Sequence, residues 1–432
     1  MVSRPVATLG ASEGGARRKA VGGIGPKARR FGDPYICSYL IKLIMSDKTI
    51  MDKEAVLILE DGTRFVGRSF GYEKSVSGEL VFYTAMTGYP ESLSDPSYKG
   101  QILVPTFPLI GNYGVPGDET VNGISKFYES DKIQCSALVI SQYSAEYSHW
   151  DSEKSLGEWL KKWEVPGIYG IDTRALTKRL REKGAMLGKI VFDDEDIPFY
   201  DPNKENLVAQ VSCPEIKQYG NGKYKVLMVD CGMKNNILRC LLDYNVQIKR
   251  VPWNYDFSAE DYDGLFISNG PGDPAMCIET IEHIRKALAD DRPIMGICLG
   301  NQLLALAAGA KTYKLKYGHR GHNQTVRIPG THKCFVTSQN HGFAIDDSTL
   351  PSDWERMFEN LNDGTNEGIR HRSKPFFSTQ FHPEASSGPT DTGNLFGMFV
   401  ENMIRRSSES HQAGLNGRVE TDDDEVKQYS KK

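Results

Sequence analysis

Residues Gly296-Ile297-Cys298-Leu299-Gly300 stand between an apolar run, Pro293–Ile297, and an Ala/Leu-rich stretch with helical character. A reactive residue with glycine on either side, strand before it and helix after it, has the pattern of a nucleophile elbow. The turn is so tight that its apex takes strained dihedrals, and a Cβ on the flanking residues would clash. A cysteine at that apex lies by a helix N-terminus, whose partial positive charge favours thiolate. The elbow therefore requires a strand–turn–helix unit, and the neighbouring sequence supplies several.

Lys225–Val229, Val246–Val251, Gly264–Ser268 and Pro293–Ile297 read as near-continuous apolar strands, with Asn235–Asp243 and Ala275–Asp290 as helices between them. Apolar strands alternating with helices predict an α/β fold, here a C-terminal doubly wound, mostly parallel sheet. Sites in such sheets gather at the carboxyl ends of strands, where Cys298 falls.

The upstream half reads as a separate N-terminal mixed α/β domain. Ala55–Leu59 and Arg64–Gly67 flank Asp61-Gly62, a hairpin signal. Further strands are expected at Glu79–Tyr83, Gln101–Thr106 and Ser136–Ser141, with helices at Ser155–Trp163 and Asp172–Lys183, the second capped by Asp172. The expected division is an N-terminal domain over 53–214, a Gly-bearing linker over 215–224, a catalytic domain over 225–405 and a charged tail over 406–432. Residues 1–52 are basic and rich in Gly, Ala and Arg. They read as a disordered upstream extension, with Met45 and Met51 as possible starts of the folded chain, or as an organelle transit peptide. The first reading predicts a cytoplasmic protein and the second a mitochondrial one.

A chain of 432 residues exceeds one ordinary core. Its net charge of −4 gives no electrostatic case for nucleic acid. No stretch reaches the roughly 18 apolar residues of a membrane span. Eight cysteines without a Cys-x-x-Cys pair fit a reducing compartment and single out Cys298 by context.

A thiolate nucleophile needs a base and a group to orient it. Phe381-His382-Pro383-Glu384 offers both, on one face of an extended segment. Ser268-Asn269-Gly270-Pro271-Gly272-Asp273-Pro274 follows a strand and reads either as a plain β-to-α turn or as a loop whose N–H groups around Gly270 to Gly272, with that of Leu299, are aimed at an oxyanion. It lacks Gly-x-x-x-x-Gly-Lys-Ser/Thr, so it is no phosphate-binding P-loop.

These three motifs, in this order, resemble the triad-type (class I) glutamine amidotransferases. More narrowly, the chain is similar to the small, glutamine-hydrolysing component of carbamoyl-phosphate synthase. Leu59–Thr63, Thr87–Glu91, Leu93–Tyr98 and Ile171–Arg174 carry the likeness in the first half, Tyr317–Asn323 and Ser338–Phe343 in the second. The resemblance spans about 53 to 405. It implies Cys298 as nucleophile, His382 as general base and Glu384 as its partner. Glutamine is then held by Ser97, Gly270, Gly272, Leu299, Gln302, Asn340, Gly342 and Phe343, with Ser97 placing the pocket against the domain interface. No metal or cofactor is implied in this chain. ATP and Mg²⁺ belong to a synthetase partner, a large ATP-grasp subunit or domain that this chain is too short to contain. No nucleic-acid or membrane partner is implied.

Asn301 departs from the family, which usually has histidine there; activity is expected to survive because the position lies outside the triad. Members that use free ammonia lose the cysteine, so Cys298 points to glutamine. The competing readings are a free-standing Cys/His γ-glutamyl hydrolase, which does not need the first domain, and an inactive regulatory subunit, which does not need the triad.

Overall fold

The computed structural model describes residues 52–193 and 195–414. The basic extension and the distal part of the charged tail lie outside the described residues. Asp61-Gly62 turns as expected, with Gly62 at φ 83° and Asp61 Oδ1 accepting from Thr63 N at 3.0 Å. Glu54–Leu59 then pairs antiparallel with Arg64–Ser69. These two strands close a seven-stranded barrel whose order is Glu54–Leu59, Met186–Val191, Val76–Tyr83, Gln101–Pro105, Ala137–Val139, Gly167–Tyr169 and Arg64–Ser69. Closure leaves no unpaired edge in the ring.

Strands Val76–Tyr83, Gln101–Pro105 and Ala137–Val139 are covered on both faces, which explains their apolar runs, whereas Arg64–Ser69 alternates between exposed and buried residues. Leu80, Ile102, Val104 and Val139 pack with Leu176 and Leu180 of helix Thr173–Lys183. The alternate residues Val81, Leu103 and Leu138 pack with Leu156, Trp159 and Leu160 of helix Leu156–Lys162. Asp172 caps the first helix by accepting from Ala175 N.

The second half holds a ten-stranded sheet. Its centre is parallel, in the order Val246–Pro252, Tyr224–Asp230, Gly264–Ile267, Ile294–Ile297 and Phe376–Thr379. Lys217–Tyr219, inside the expected linker, adds an antiparallel edge. On the other side the sheet continues antiparallel through Asn366–His371 and Trp354–Asn360 into the hairpin of Lys311–Arg327 and Cys334–Asp346. Helices cover both faces of the centre. Ile237, Leu238 and Leu241 of Asn235–Leu242 share one core with Phe396, Phe399 and Met403 of Asn394–Gly414. On the opposite face, Leu303 and Leu304 of Leu299–Ala308 pack with Ile284 of Ile278–Ala287. The last helix thus runs beyond residue 405. Among the described residues no helix is long and apolar enough to cross a membrane.

The two halves belong to one compact unit. Arg320 O accepts from Thr84 N at 3.2 Å and Ala185 N donates to Lys316 O at 2.8 Å, so the long hairpin docks on the barrel. The elbow packs closely. A Cβ on Gly300 would lie 2.2 Å from the carbonyl oxygen of Ile267, and one on Gly296 2.6 Å from that of Gly300. Both obstacles are backbone and cannot swing aside. Gly300→Ala is therefore expected to destabilise the protein by at least about 1–3 kcal/mol, the range for an overpacked core. Urea unfolding measures this, and an unchanged midpoint would show that the elbow relaxes.

Candidate active site

Cys298 sits between strand Ile294–Ile297 and helix Leu299–Ala308, at φ 54° and ψ −101°. A side chain with positive φ is strained by about 1–3 kcal/mol and needs its surroundings to hold it. Cys298 N donates to Thr379 O at 2.8 Å, which pins the apex to the next strand. The side chain is 2% exposed. Leu299 N–H lies in the first turn of the helix, where such groups have no intrahelical acceptor.

His382 and Glu384 follow strand Phe376–Thr379, the neighbour of the elbow strand. The antiparallel bridge to Ser338 holds the segment extended, with His382 N donating to Ser338 O at 2.9 Å. His382 Nδ1 is 2.6 Å from Glu384 Oε1. The thiol donates to Asn340 O at 3.5 Å, leaving His382 Nε2 buried without a hydrogen-bond partner among the described residues. The structure thus brings together the three residues singled out in the sequence.

Burial is the largest influence on His382 and disfavours its proton; Glu384 and Cys298 outweigh it and raise its pKa to about 10. Burial also opposes the Glu384 charge, but Lys234 and His382 lower this carboxyl to about 2. Sequence reasoning missed Lys234, whose Nζ lies 3.1 Å from Glu384 Oε1. Burial works against its charge most strongly, and Glu384, Glu129 and Asp95 together keep it protonated. One oxygen of Glu384 thus faces two cationic groups. Nothing in the run Lys234-Asn235-Asn236 marks the lysine, since the carboxylates that need it come from distant segments.

A cavity of about 400 Å³, including its open mouth, lies over Cys298 and is lined by Ser97, Gly270, Gly272, Gln302, Asn340, Gly342 and Phe343. These are seven of the eight residues expected to hold glutamine. The eighth, Leu299, is buried at the elbow, its side chain against Gly270. A Cβ on Gly270 would lie 2.0 Å from Cys231 O, which accounts for the glycine. Ser97 arrives from the barrel half on a turn capped by Asp95 Oδ1, and Asn269 Nδ2 donates to its Oγ at 2.9 Å. The other Asp95 oxygen accepts from Asn340 Nδ2 at 3.2 Å. Asp95 therefore ties both halves to the pocket wall. Glu79 and Lys314, paired at 2.6 Å, line the same cavity and also escaped the sequence reading.

Asn301 faces elsewhere. Its amide donates to Gln380 Oε1 at 3.1 Å and accepts from Ser378 Oγ at 2.8 Å, fully buried. Gln302 Nε2 reaches the same Gln380 oxygen at 3.0 Å and the Phe343 carbonyl at 2.9 Å. Asn301→Ala is expected to cost about 1–3 kcal/mol by stranding buried polar groups. If thermal unfolding were unchanged, this network would not be holding Gln302.

An elbow cysteine on a doubly wound sheet, with a His–Glu pair just beyond the adjacent strand, defines a class I glutamine amidotransferase; the family model "Glutamine amidotransferase class-I" matches residues 227–402. The model "Carbamoyl-phosphate synthase small chain, CPSase domain" matches 57–190. The chain belongs to the carbamoyl-phosphate synthase small-chain family. It is 54% identical over 354 residues to multifunctional protein CAD of Squalus acanthias, covering 80% of this chain and 16% of that one. Multifunctional protein pyr1-3 of Dictyostelium discoideum is 52% identical, with 84% and 17% covered. Carbamoyl-phosphate synthase [ammonia], mitochondrial, of Mus musculus is 51% identical, with 81% and 24% covered. The chain thus spans less than a quarter of the length of these relatives.

Proposed function

We propose that this chain hydrolyses glutamine and delivers ammonia to a carbamoyl-phosphate synthetase partner, whether a separate subunit or the remainder of a longer polypeptide. The observation that carries the reading is the strained Cys298 beside an imidazole whose Nδ1 is engaged by Glu384 and whose Nε2 is uncommitted.

In this reading the proton shared between Cys298 and His382 rests on His382 Nε2 at the moment of attack, when Sγ bonds to the side-chain amide carbon of glutamine. The N–H groups of Leu299 and Gly270 receive the oxyanion. Collapse breaks the C–N bond, and His382 returns the proton to the leaving nitrogen, releasing ammonia and leaving a γ-glutamyl thioester. His382 then takes a proton from water, hydroxide adds to the thioester carbon, and glutamate departs as Sγ regains its proton. Glu384 keeps the imidazole oriented through Nδ1. The reading assigns this chain no cofactor; ATP, Mg²⁺ and bicarbonate enter at the partner.

A relative named for ammonia offers a second reading, in which free ammonia is used and this half is silent. The thiol, histidine and carboxylate in reach of one another favour the glutamine reading. The test is glutaminase turnover of the purified chain, alone and with a carbamoyl-phosphate synthetase large chain, ATP and bicarbonate. Weak turnover raised at least about tenfold by the partner is expected. Fast turnover indifferent to the partner would mean an independent hydrolase, and none in either case would mean a silent half.

A further inference from the structure

His319 and His341 belong to the two stretches of the long hairpin noted in the sequence, and neither takes a step in the proposed glutaminase chemistry, although His341 borders the substrate cavity. They face each other across paired strands, His319 opposite His341 in register. His319 Nε2 lies 2.8 Å from a carboxylate oxygen of Asp363. His341 Nδ1 lies 2.8 Å from the Phe343 carbonyl. These outer bonds turn the other two nitrogens, His319 Nδ1 and His341 Nε2, toward one another at 3.2 Å. Glu367 Oε1 stands 3.6 Å from His319 Nδ1, and Gln339 Oε1 3.3 Å from His341 Nε2. Ligand atoms of His319, His341 and Glu367 all fall within 4.8 Å of each other.

Tetrahedral zinc holds nitrogen at about 2.0–2.1 Å, which sets neighbouring donors about 3.3 Å apart. The spacings of 3.2 Å between the two histidine nitrogens, 3.3 Å from Gln339 and 3.6 Å from Glu367 lie close to that figure. Metal-bound histidines characteristically pass their second N–H to a carboxylate or a backbone carbonyl, the arrangement Asp363 and Phe343 provide. Glu367 is fully buried. Its Oε1 accepts from Asn360 Nδ2 at 2.8 Å, while Oε2 has no hydrogen-bond partner among the described residues. A proton on His319 Nδ1 accounts for the contact between the two rings. It leaves Glu367 Oε2 without a partner and turns Gln339 Oε1 toward another acceptor.

We propose that His319, His341 and Glu367 form a binding site for a divalent transition metal, with zinc as the best fit and Gln339 Oε1 or water at the fourth corner. The resemblance implied no metal in this chain, and this site is separate from the triad. It would fasten strands Lys311–Arg327 and Cys334–Asp346 to Asn366–His371, and through His341 it reaches the Asn340–Phe343 segment that lines the substrate cavity.

The test uses the full chain carrying Cys298→Ala, so that the elbow thiol is not a ligand, after removal of metal with a chelator. Titration with Co²⁺ is expected to develop the ligand-field bands of four-coordinate cobalt at one equivalent, without a sulfur-to-cobalt charge-transfer band, and Zn²⁺ should bleach them. Zn²⁺ should also raise the melting temperature. His319→Asn and Glu367→Gln should each weaken binding at least about 10–100-fold and abolish the zinc-dependent rise in melting, a comparison made within each folded variant. The proposal is overturned if the chain takes up no stoichiometric metal, if the bands carry a thiolate signature, or if the variants bind as tightly as the parent. None of these readouts depends on glutaminase turnover, so a failure of the proposed function would be recognised separately.

Discussion

Cys298→Ala is expected to lower glutamine turnover by at least about 10³-fold, since loss of a nucleophile from a catalytic array can cost up to about 10⁶. The melting temperature should barely move, because alanine inherits the same backbone at φ 54°. Cys298→Gly should be equally inactive but more stable than Cys298→Ala, because glycine adopts positive φ without penalty. This pair separates chemistry from fold. With the synthetase partner present, both variants should still support carbamoyl phosphate formation from added ammonia. Retained glutamine turnover in Cys298→Ala would remove the thiol from the mechanism. Loss of the ammonia-driven reaction together with the glutamine-driven one would point to a broken assembly instead.

The elbow was legible because its constraints are local. Gly296 and Gly300 are needed where backbone approaches backbone, so the requirement is written within five residues of Cys298. His382 and Glu384 were legible for the same reason: two residues apart on an extended strand, they share a face whatever surrounds them. The strands over Lys225–Val229 and Gly264–Ser268 stood out by their apolar runs, because helices bury them on both faces. Closure of the first half into a barrel was hidden. It depends on pairing Glu54–Leu59 with both Arg64–Ser69 and the distant Met186–Val191, and alternation within one strand carries no record of its second neighbour. The hairpin of Lys311–Arg327 and Cys334–Asp346 was missed because its polar sequence and its register shifts, after Lys314 and Gly321, break the period of two. Lys234, Asp95 and Glu79 escaped for a further reason. Each is buried only because charged or polar partners arrive from another segment, and a buried charge without its partners looks like any surface residue in a sequence.

His382→Asn is expected to be nearly as damaging as Cys298→Ala, by about 10³-fold or more, and Glu384→Gln less so, because the orienting member of a triad is the least costly to lose. The electrostatics around Glu384 sharpen this into a pH test with opposite signs. Glu384 is the chief influence raising His382 to about 10, whereas Lys234 lowers it. The imidazolium must survive to protonate the leaving nitrogen, so the alkaline limb of kcat should follow the His382 pKa. Glu384→Gln should move that limb to lower pH, and Lys234→Met should move it to higher pH. If both variants shifted it the same way, the limb would belong to another group. Stability carries the same signature. A histidine whose pKa is raised on folding, from 6.5 to about 10, stabilises the fold fully below pH 6.5 and ceases to do so as pH rises through 10. The melting-temperature gap between the parent protein and His382→Asn should therefore be widest near pH 6 and close toward pH 10. A gap independent of pH would mean that His382 holds the fold by packing and not through its charge, and that the Cys298–His382–Glu384–Lys234 array does not share protons as its geometry indicates.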